Sequence, residues 1–174
     1  MSELEIFVAM GALAVTADSG TALTTIGLGS CVGIALIDSR RGAAGLAHAM
    51  FPQAPGPDVD EPGRYADTAV RAMLSALADL GSRASNLTAV LTGGARMFAF
   101  ERSSGIDIGA RNLAATREAL AAAGVPVCAS ATGGSIGRSV RVRIADGIVR
   151  LREAGTDSEL YRWAPSAAQD RGSR

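Results

Sequence analysis

Two apolar segments on either side of a polar turn constrain the fold of this chain most. Residues 32–37 (VGIALI) are nearly continuously apolar and of strand length, and residues 45–50 (GLAHAM) form a second such segment. Residues 38–42 (DSRRG) between them have the composition of a turn. We therefore predict an antiparallel hairpin that places position 31 opposite positions 48–50, because paired residues in a hairpin have a nearly constant index sum.

Elsewhere in the chain, strand-like segments outnumber helical ones. Apolar residues recur at helical spacing over residues 64–80, and Gly81 follows as a C-terminal cap. A second helix is predicted over residues 108–123, with Asp107 as its N-cap and Gly124 at its end. Short strands are predicted at residues 23–28, 87–91, 125–131, 140–144 and 148–151. The pattern indicates an α+β fold, a layered α/β sandwich with mixed, largely antiparallel sheets flanked by two main helices.

The length of 174 residues suits one domain that buries a core without metal or disulfide support. We predict a single domain over residues 1–152. Residues 153–174 show no clear pattern and are expected to be a poorly ordered tail. Residues 51–63 hold four of the six prolines, so they should form a surface loop or flap.

Composition excludes several classes of function. The net charge is 0 with 48% hydrophobic residues, which is typical of a soluble globular protein without a basic surface for nucleic acid. Glu3 and Glu5 stand where a secretory signal needs positive charge, and no apolar run approaches the roughly 20 residues of a membrane span. We therefore expect a cytoplasmic protein, in which Cys31 and Cys128 remain thiols. The single histidine, His48, excludes any site that needs two.

The predicted hairpin brings Cys31 close to His48. A thiol is only slightly ionised at pH 7, and a neighbouring imidazole can accept its proton and activate it as a nucleophile. In the opposing interpretation, Cys31 is a small buried residue and His48 a hydrogen-bonded core residue, and the thiol is inert to alkylation. Spacing alone favours this packing interpretation, and for Cys128 it does so more strongly.

The glycine-rich context of Cys31 excludes two other motifs. Residues 27–33 have the glycines of a dinucleotide-binding loop, and residues 29–33 (GSCVG) have the spacing of a nucleophile elbow. Both motifs require a following helix, whereas the residues after Val32 are strand-like. The pairs Gly93-Gly94 and Gly133-Gly134 are most simply turns with positive φ.

Six short motifs follow one another in a specific order. They are LGSCV (28–32), HAMFP (48–52), RYAD (64–67), GGARMF (93–98), IGARN (108–112) and GGSIGR (133–138). In this order they closely resemble the CheD family of chemoreceptor glutamine deamidases, over residues 10–152.

The resemblance implies a Cys–His–Thr catalytic site. It places the nucleophile at Cys31, the base at His48 and the hydroxyl that orients the imidazole at Thr25. It implies hydrolysis of receptor glutamines to glutamate, and in some members of glutamyl methyl esters, without a metal or organic cofactor. It also implies a fold similar to the catalytic domain of the cytotoxic necrotizing factor toxins.

In the implied mechanism, backbone N–H groups of the turn formed by Gly29, Ser30 and Cys31 hold the oxyanion. The implied partners are cytoplasmic chemoreceptor helices, through which alone the protein would reach the membrane, and a CheC-type phosphatase. The alternative is a non-catalytic interaction protein that docks on either partner. The residues expected at the substrate rim are the loop 53–63, Phe51, Gly93, Gly94, Gly133 and Gly134.

Overall fold

The structure is a computed structural model that describes residues 2–97 and 105–164. In these residues the chain forms two five-stranded sheets and two α-helices. The strands are β1 (Leu4–Phe7), β2 (Leu13–Thr16), β3 (Thr21–Leu28), β4 (Val32–Asp38), β5 (Ala43–Ala49), β6 (Leu87–Gly93), β7 (Val127–Thr132), β8 (Arg138–Arg143), β9 (Ile148–Glu153) and β10 (Thr156–Arg162). The helices are α1 (Ala66–Asp79) and α2 (Ile108–Ala122), and single 3₁₀ turns lie at Pro62–Arg64 and Ala84–Asn86.

The inner sheet has the strand order β2-β5-β4-β6-β7 and contains the predicted hairpin. Strands β4 and β5 are antiparallel, with Val32 opposite Ala49 and Gly33 opposite His48. The hairpin and its register are therefore confirmed. Both strands are buried along their whole length, because each has one face toward the helices and the other toward the second sheet.

Alternate residues of β4 show this layering directly. Ile34 and Leu36 belong to the apolar cluster that includes α1, whereas Ala35 and Ile37 belong to the cluster shared with the second sheet. Successive strand residues point to opposite faces, so one strand can serve two cores. The layers are thus helices, inner sheet and outer sheet, which confirms the predicted α+β sandwich with mixed sheets and shows that the sheets are two.

The outer sheet has the order β1-β3-β8-β9-β10. Strand β3 is parallel to β1 and antiparallel to β8. Leu23 of β3 and Val140 and Val142 of β8 are buried in the core between the two sheets. This packing brings β3 alongside β5 of the inner sheet.

Both helices end as predicted. Gly81 has φ +87° after α1, and Gly124 has φ +69° after α2. Asp107 caps α2, since its Oδ1 accepts a hydrogen bond of 2.8 Å from the N–H of Ala110. Neither helix in residues 2–97 and 105–164 is long and apolar enough to cross a membrane.

The prediction of a poorly ordered tail from residue 153 is wrong for the part of it that the structure describes. Strand β10 pairs antiparallel with β9, and the side chain of Trp163 is buried in the core between the sheets. Ala154 and Gly155 both have positive φ and form the two-residue turn between the strands. Strand β10 (TDSELYR) lies at the sheet edge and is largely exposed, so it has no apolar periodicity that the sequence could reveal. Residues 165–174 of the predicted tail lie outside the described residues.

Candidate active site

The three residues of the predicted site come from both sheets. Cys31 lies in the loop between β3 and β4, one residue beyond the Val32–Ala49 pair that ends the hairpin ladder. His48 is near the end of β5, on the same face as Leu46, and so it points into the layer between the sheets. Thr25 on β3 points into this layer from the other side, as Leu23 does.

Thr25 and His48 form a hydrogen bond across the two sheets. The Oγ1 of Thr25 lies 2.8 Å from the Nδ1 of His48 and donates a hydrogen bond of 2.7 Å to the carbonyl of Val8. A hydroxyl has one hydrogen, and a carbonyl can only accept. The hydrogen between Thr25 and His48 must therefore come from Nδ1, which leaves Nε2 of the neutral imidazole unprotonated.

The environment of His48 favours this neutral form. Its side chain is only 1% exposed, and burial lowers the pKa of the imidazole. The Nε2 atom is buried and has no hydrogen-bond partner in the described part of the chain. An unprotonated, unpaired imidazole nitrogen at this position can accept a proton from a neighbouring group.

The thiol of Cys31 is partly buried. Burial raises the pKa of the Cys31 thiol, and a hydrogen bond from its own backbone N–H opposes this effect. The thiol therefore stays protonated near neutral pH until a base removes its proton. Cys128 differs, because its side chain is exposed on β7, an edge strand of the inner sheet.

Backbone hydrogen bonds hold the loop of Cys31 against two neighbouring loops. The N–H of Gly94 donates to the carbonyl of Cys31, and the N–H of Ala95 donates to the carbonyl of Gly29, both at 2.8 Å. The loop after β7 extends this arrangement, because Gly133 donates to the carbonyl of Gly93 at 3.0 Å. The loops that follow β6 and β7 thus support the turn that carries Cys31.

Of the predicted rim glycines, Gly93 is the last residue of β6, and Gly94, Gly133 and Gly134 lie in these loops. All four have positive φ, as predicted, with values of +91°, +63°, +75° and +70° for Gly93, Gly94, Gly133 and Gly134. At Gly93 a Cβ would lie 2.2 Å from the carbonyl oxygen of Cys31, so only glycine fits. At Gly133 a Cβ would meet no atom within 4 Å. Gly93 therefore allows close approach to the Cys31 backbone, whereas Gly133 only shapes its turn.

The predicted oxyanion donors differ in availability. In residues 2–97 and 105–164, the N–H groups of Ser30 and Cys31 donate to no other residue. The N–H of Gly29 is already used, since it donates to the carbonyl of Gly27 at 3.1 Å. Gly29 consequently shapes the turn. Ser30 retains an N–H group that a substrate oxygen could accept from, whereas the N–H of Cys31 already contacts its own sulfur.

Three apolar side chains are exposed on segments that adjoin or contact this turn. Phe51, three residues after His48, is 40% exposed and lies 5.8 Å from the ring of Tyr65, between ring centroids. Met97 lies against Gly29 and Gly137, and Ile136 is the neighbour of Gly137. Met97 and Ile136 are also exposed, and neither was predicted to lie at the rim.

Sequence reasoning also missed two buried polar groups that support the site. Arg138 is 8% exposed and links the carbonyl of Gly133, at 2.7 Å, to the carboxylate of Glu153, at 3.0 Å. Asn112 of α2 is fully buried and reaches the carbonyls of Ser30 and Met50. Both residues stand inside the quoted motifs GGSIGR and IGARN, but their contacts are non-local and leave no periodic signal.

No group of three or more His, Cys, Asp or Glu side chains in the described residues is arranged to hold a metal ion. The candidate site offers a thiol, an imidazole, a hydroxyl and backbone N–H groups. Such a set is suited to nucleophilic attack on a carbonyl carbon.

Comparisons with known proteins agree on one family. The profile of the family described as CheD, chemotactic sensory transduction, matches residues 50–153. The chemoreceptor glutamine deamidase CheD of Thermotoga maritima is 37% identical over 153 residues, which cover 88% of this chain and 94% of that protein. Probable chemoreceptor glutamine deamidases CheD of Haloarcula marismortui and Clostridium kluyveri are each 42% identical, covering 78% and 80% of this chain and 78% and 88% of theirs. The profile match begins after His48, but the Thermotoga match is long enough that it includes Thr25, Cys31 and His48.

Proposed function

Because the chain belongs to the CheD family of chemotactic sensory transduction proteins, we propose that it is a deamidase that converts glutamine side chains of chemoreceptors to glutamate. Its relatives are named chemoreceptor glutamine deamidases, and these names support receptor glutamine as the substrate. The observation that carries the chemistry is the hydrogen bond between Thr25 and His48, because it leaves the Nε2 of His48 free to act as a base beside the Cys31 loop.

Acylation begins with transfer of the Cys31 thiol proton to the Nε2 of His48. The thiolate attacks the carboxamide carbon of the glutamine, a C–S bond forms, and the amide oxygen takes the negative charge. The N–H groups of Ser30 and Cys31 donate to this oxyanion. His48 then gives its proton to the leaving nitrogen, the C–N bond breaks, and ammonia departs from a glutamyl thioester.

Hydrolysis of the thioester uses the same groups. Water attacks the thioester carbon while His48 accepts a proton from it, and the C–S bond then breaks. The proton returns to the sulfur of Cys31, so that each cycle consumes one water and releases one ammonia. A glutamyl methyl ester would follow the same route with methanol as the leaving group.

Thr25 keeps the imidazole in the useful orientation throughout the cycle. Nδ1 donates to Oγ1 both when His48 is neutral and when it is protonated, while Val8 accepts the hydroxyl hydrogen. This arrangement prevents rotation of the imidazole ring. It also disfavours the other tautomer, in which Nε2 would carry the proton and could not act as a base.

Recognition of a receptor helix is assigned to the exposed side chains around the Cys31 turn. Phe51, Met97 and Ile136 offer apolar contact area at the surface. The loop 53–63 and the four glycines Gly93, Gly94, Gly133 and Gly134 complete the rim. A CheC-type phosphatase would be a second partner for this surface.

Docking without catalysis would need neither the Thr25–His48 hydrogen bond nor an unpaired Nε2, and the presence of both supports the enzymatic alternative.

The test is to incubate the protein with a cytoplasmic chemoreceptor fragment and to measure conversion of glutamine to glutamate by mass spectrometry. Wild type and the matched control Cys128→Ala should convert receptor glutamines, and Cys31→Ala should not. Equal conversion by wild type and Cys31→Ala would refute the cysteine mechanism. Receptor binding without any conversion by wild type would favour the docking alternative.

Thr25 is tested in the same assay with a pair of variants. Thr25→Val keeps the shape of the side chain but removes the hydroxyl, and we expect kcat to fall by about 10²-fold, the scale of a general-base contribution. Thr25→Ser keeps the hydroxyl and should retain most of the activity. Equal activity of Thr25→Val and wild type would show that this hydroxyl has no role in the reaction.

A further inference from the structure

Asn112 connects the two chain segments that carry the nucleophile and the base. Its side-chain amide nitrogen donates to the carbonyl of Ser30 at 2.9 Å and to the carbonyl of Met50 at 3.0 Å. Ser30 directly precedes Cys31, and Met50 is two residues after His48. A primary amide has two N–H donors on one nitrogen, and here both are used to hold two backbone carbonyls.

These two segments lack a direct connection of their own at this point. The ladder between β4 and β5 ends at Val32–Ala49. Beyond it, the N–H of Met50 donates to the carbonyl of Arg64, and the carbonyl of Cys31 accepts from Gly94. The amide of Asn112 therefore continues the link between the strands where their own pairing has stopped.

Helix α2 holds Asn112 in a defined position. A Cβ at Gly109 would lie 2.4 Å from the carbonyl oxygen of Gly94, so the first turn of α2 touches the loop that supports Cys31. One turn later, the hydroxyl of Thr116 donates to the backbone carbonyl of Asn112 at 2.8 Å, but this bond lies within α2 and does not contact the side-chain amide of Asn112. Asn112 has 0% exposure, so water cannot replace its amide without a change in packing.

We propose that Asn112 is a positioning residue that sets the separation of the Cys31 thiol from the His48 imidazole, an inference that rests on the proposed deamidase function. Asn112 does not touch the reacting atoms. It acts through the backbone of Ser30 and Met50, and its loss lets the Cys31 loop move away from β5. Proton transfer between thiol and imidazole requires hydrogen-bond distance, so such a displacement lowers kcat with little change in KM.

The test uses Cys128→Ser as background, so that Cys31 is the single thiol. Asn112→Leu is nearly isosteric but lacks both donors, and Asn112→Ser is a smaller second variant in case the first does not fold. Thr116→Val is the matched control, because it removes a buried hydroxyl from the same helix without touching either segment. Thermal unfolding establishes that each variant is folded.

Two readouts separate positioning from stability. We expect the rate of Cys31 alkylation by iodoacetamide at pH 7 to fall about tenfold in the Asn112 variants, with its pH profile moved to higher pH. We expect kcat for receptor deamidation to fall by up to ~10²-fold, the scale of a displacement of about 1 Å. Thr116→Val should keep the wild-type pH profile and kcat even if its melting temperature falls.

The outcomes for Asn112 and for the function are distinguishable. If folded Asn112→Leu or Asn112→Ser has the alkylation profile and kcat of Thr116→Val, the positioning role is refuted while the deamidase function stands. If wild type leaves receptor glutamines intact but the Asn112 variants still lose alkylation, the proposed function is refuted. The alkylation would then still show that Asn112 holds the thiol beside the imidazole.

Discussion

The hydroxyl of Thr25, on the outer sheet, determines the tautomer of His48, on the inner sheet. Because its hydrogen goes to the Val8 carbonyl, the oxygen can only accept from His48. The same contact with a free hydroxyl would allow either tautomer. The position of Val8, just after β1, is thus as important for the imidazole as Thr25 itself.

Burial of His48 leads to a prediction for the pH dependence of stability. Its pKa in the folded protein is lowered by burial, whereas the unfolded chain takes up this proton near pH 6.5. The unfolded state therefore binds more protons below about pH 6.5, and the free energy of unfolding should decrease there, by at most about 1.4 kcal/mol per pH unit. Above about pH 7 the contribution of His48 should be constant.

Urea unfolding between about pH 7.5 and pH 5.5 measures this effect, with His48→Gln as the comparison. The difference in stability between wild type and variant should shrink as the pH falls, since only wild type has the imidazole. Parallel curves for the two proteins would mean that the folded state does not disfavour the charged imidazole.

Among the elements, the ends of β4, β6 and β7 meet around Cys31. The hairpin of β4 and β5 was predictable, because its register depends on a short turn and on two adjacent apolar segments. The contact of β6 with Cys31 was not predictable, since Gly93 follows Cys31 by 62 positions in the sequence. Only the sheet order brings the two residues together. The positive φ of Gly93 and Gly94 was correctly predicted, although Gly93 is the last residue of β6 and not part of a turn. The neighbour that excludes a side chain at Gly93 was not predicted.

A pair of glycine substitutions tests this contact between elements. Gly133→Ala introduces only a side chain at positive φ, with a cost of roughly 1–2 kcal/mol in the free energy of unfolding. Gly93→Ala has the same conformational cost and in addition a clash with the Cys31 carbonyl, for which we expect roughly 1–3 kcal/mol more. Urea unfolding of both variants measures the difference. If the two variants lose the same free energy of unfolding, the Cys31 loop can move away from a side chain at position 93 without cost.

On the scale of the whole molecule, the site lies where the two sheets meet. His48 comes from the inner sheet and Thr25 from the outer sheet, so their hydrogen bond requires the sheets to be packed correctly. Strand β10 and Trp163 contribute to this packing at the other edge of the outer sheet, far along the chain from the motifs of the site.

Trp163 is the only tryptophan of the chain and reports on this part of the fold. Its side chain is 5% exposed and lies against Tyr161, with the ring centroids 6.4 Å apart. We expect Trp163→Ala to reduce the free energy of unfolding by about 3–5 kcal/mol. In wild type, the tryptophan fluorescence should shift to longer wavelength in the same urea transition as the circular dichroism. A loss below about 1 kcal/mol, typical of surface substitutions, would contradict the burial of Trp163.

The sequence by itself determined those features that depend on neighbouring residues. These include the hairpin that brings Cys31 near His48, the caps of both helices and the nearly continuous apolar segment that forms β4. The family was predicted from ordered motifs, which are also local, and Thr25 was predicted from the resemblance to that family.

The tertiary structure alone decided the contacts between distant segments. The tautomer of His48 depends on the Val8 carbonyl, and the link between Ser30 and Met50 depends on Asn112 of α2. Strand β10 forms because β9 offers an open edge, although its own sequence has no strand periodicity. The physical reason is common to all three cases. Backbone carbonyls and the edges of strands have the same chemistry whatever the side chains are, so the sequence does not mark which of them will gain a partner. Only the packing of the two sheets and α2 determines which group reaches them.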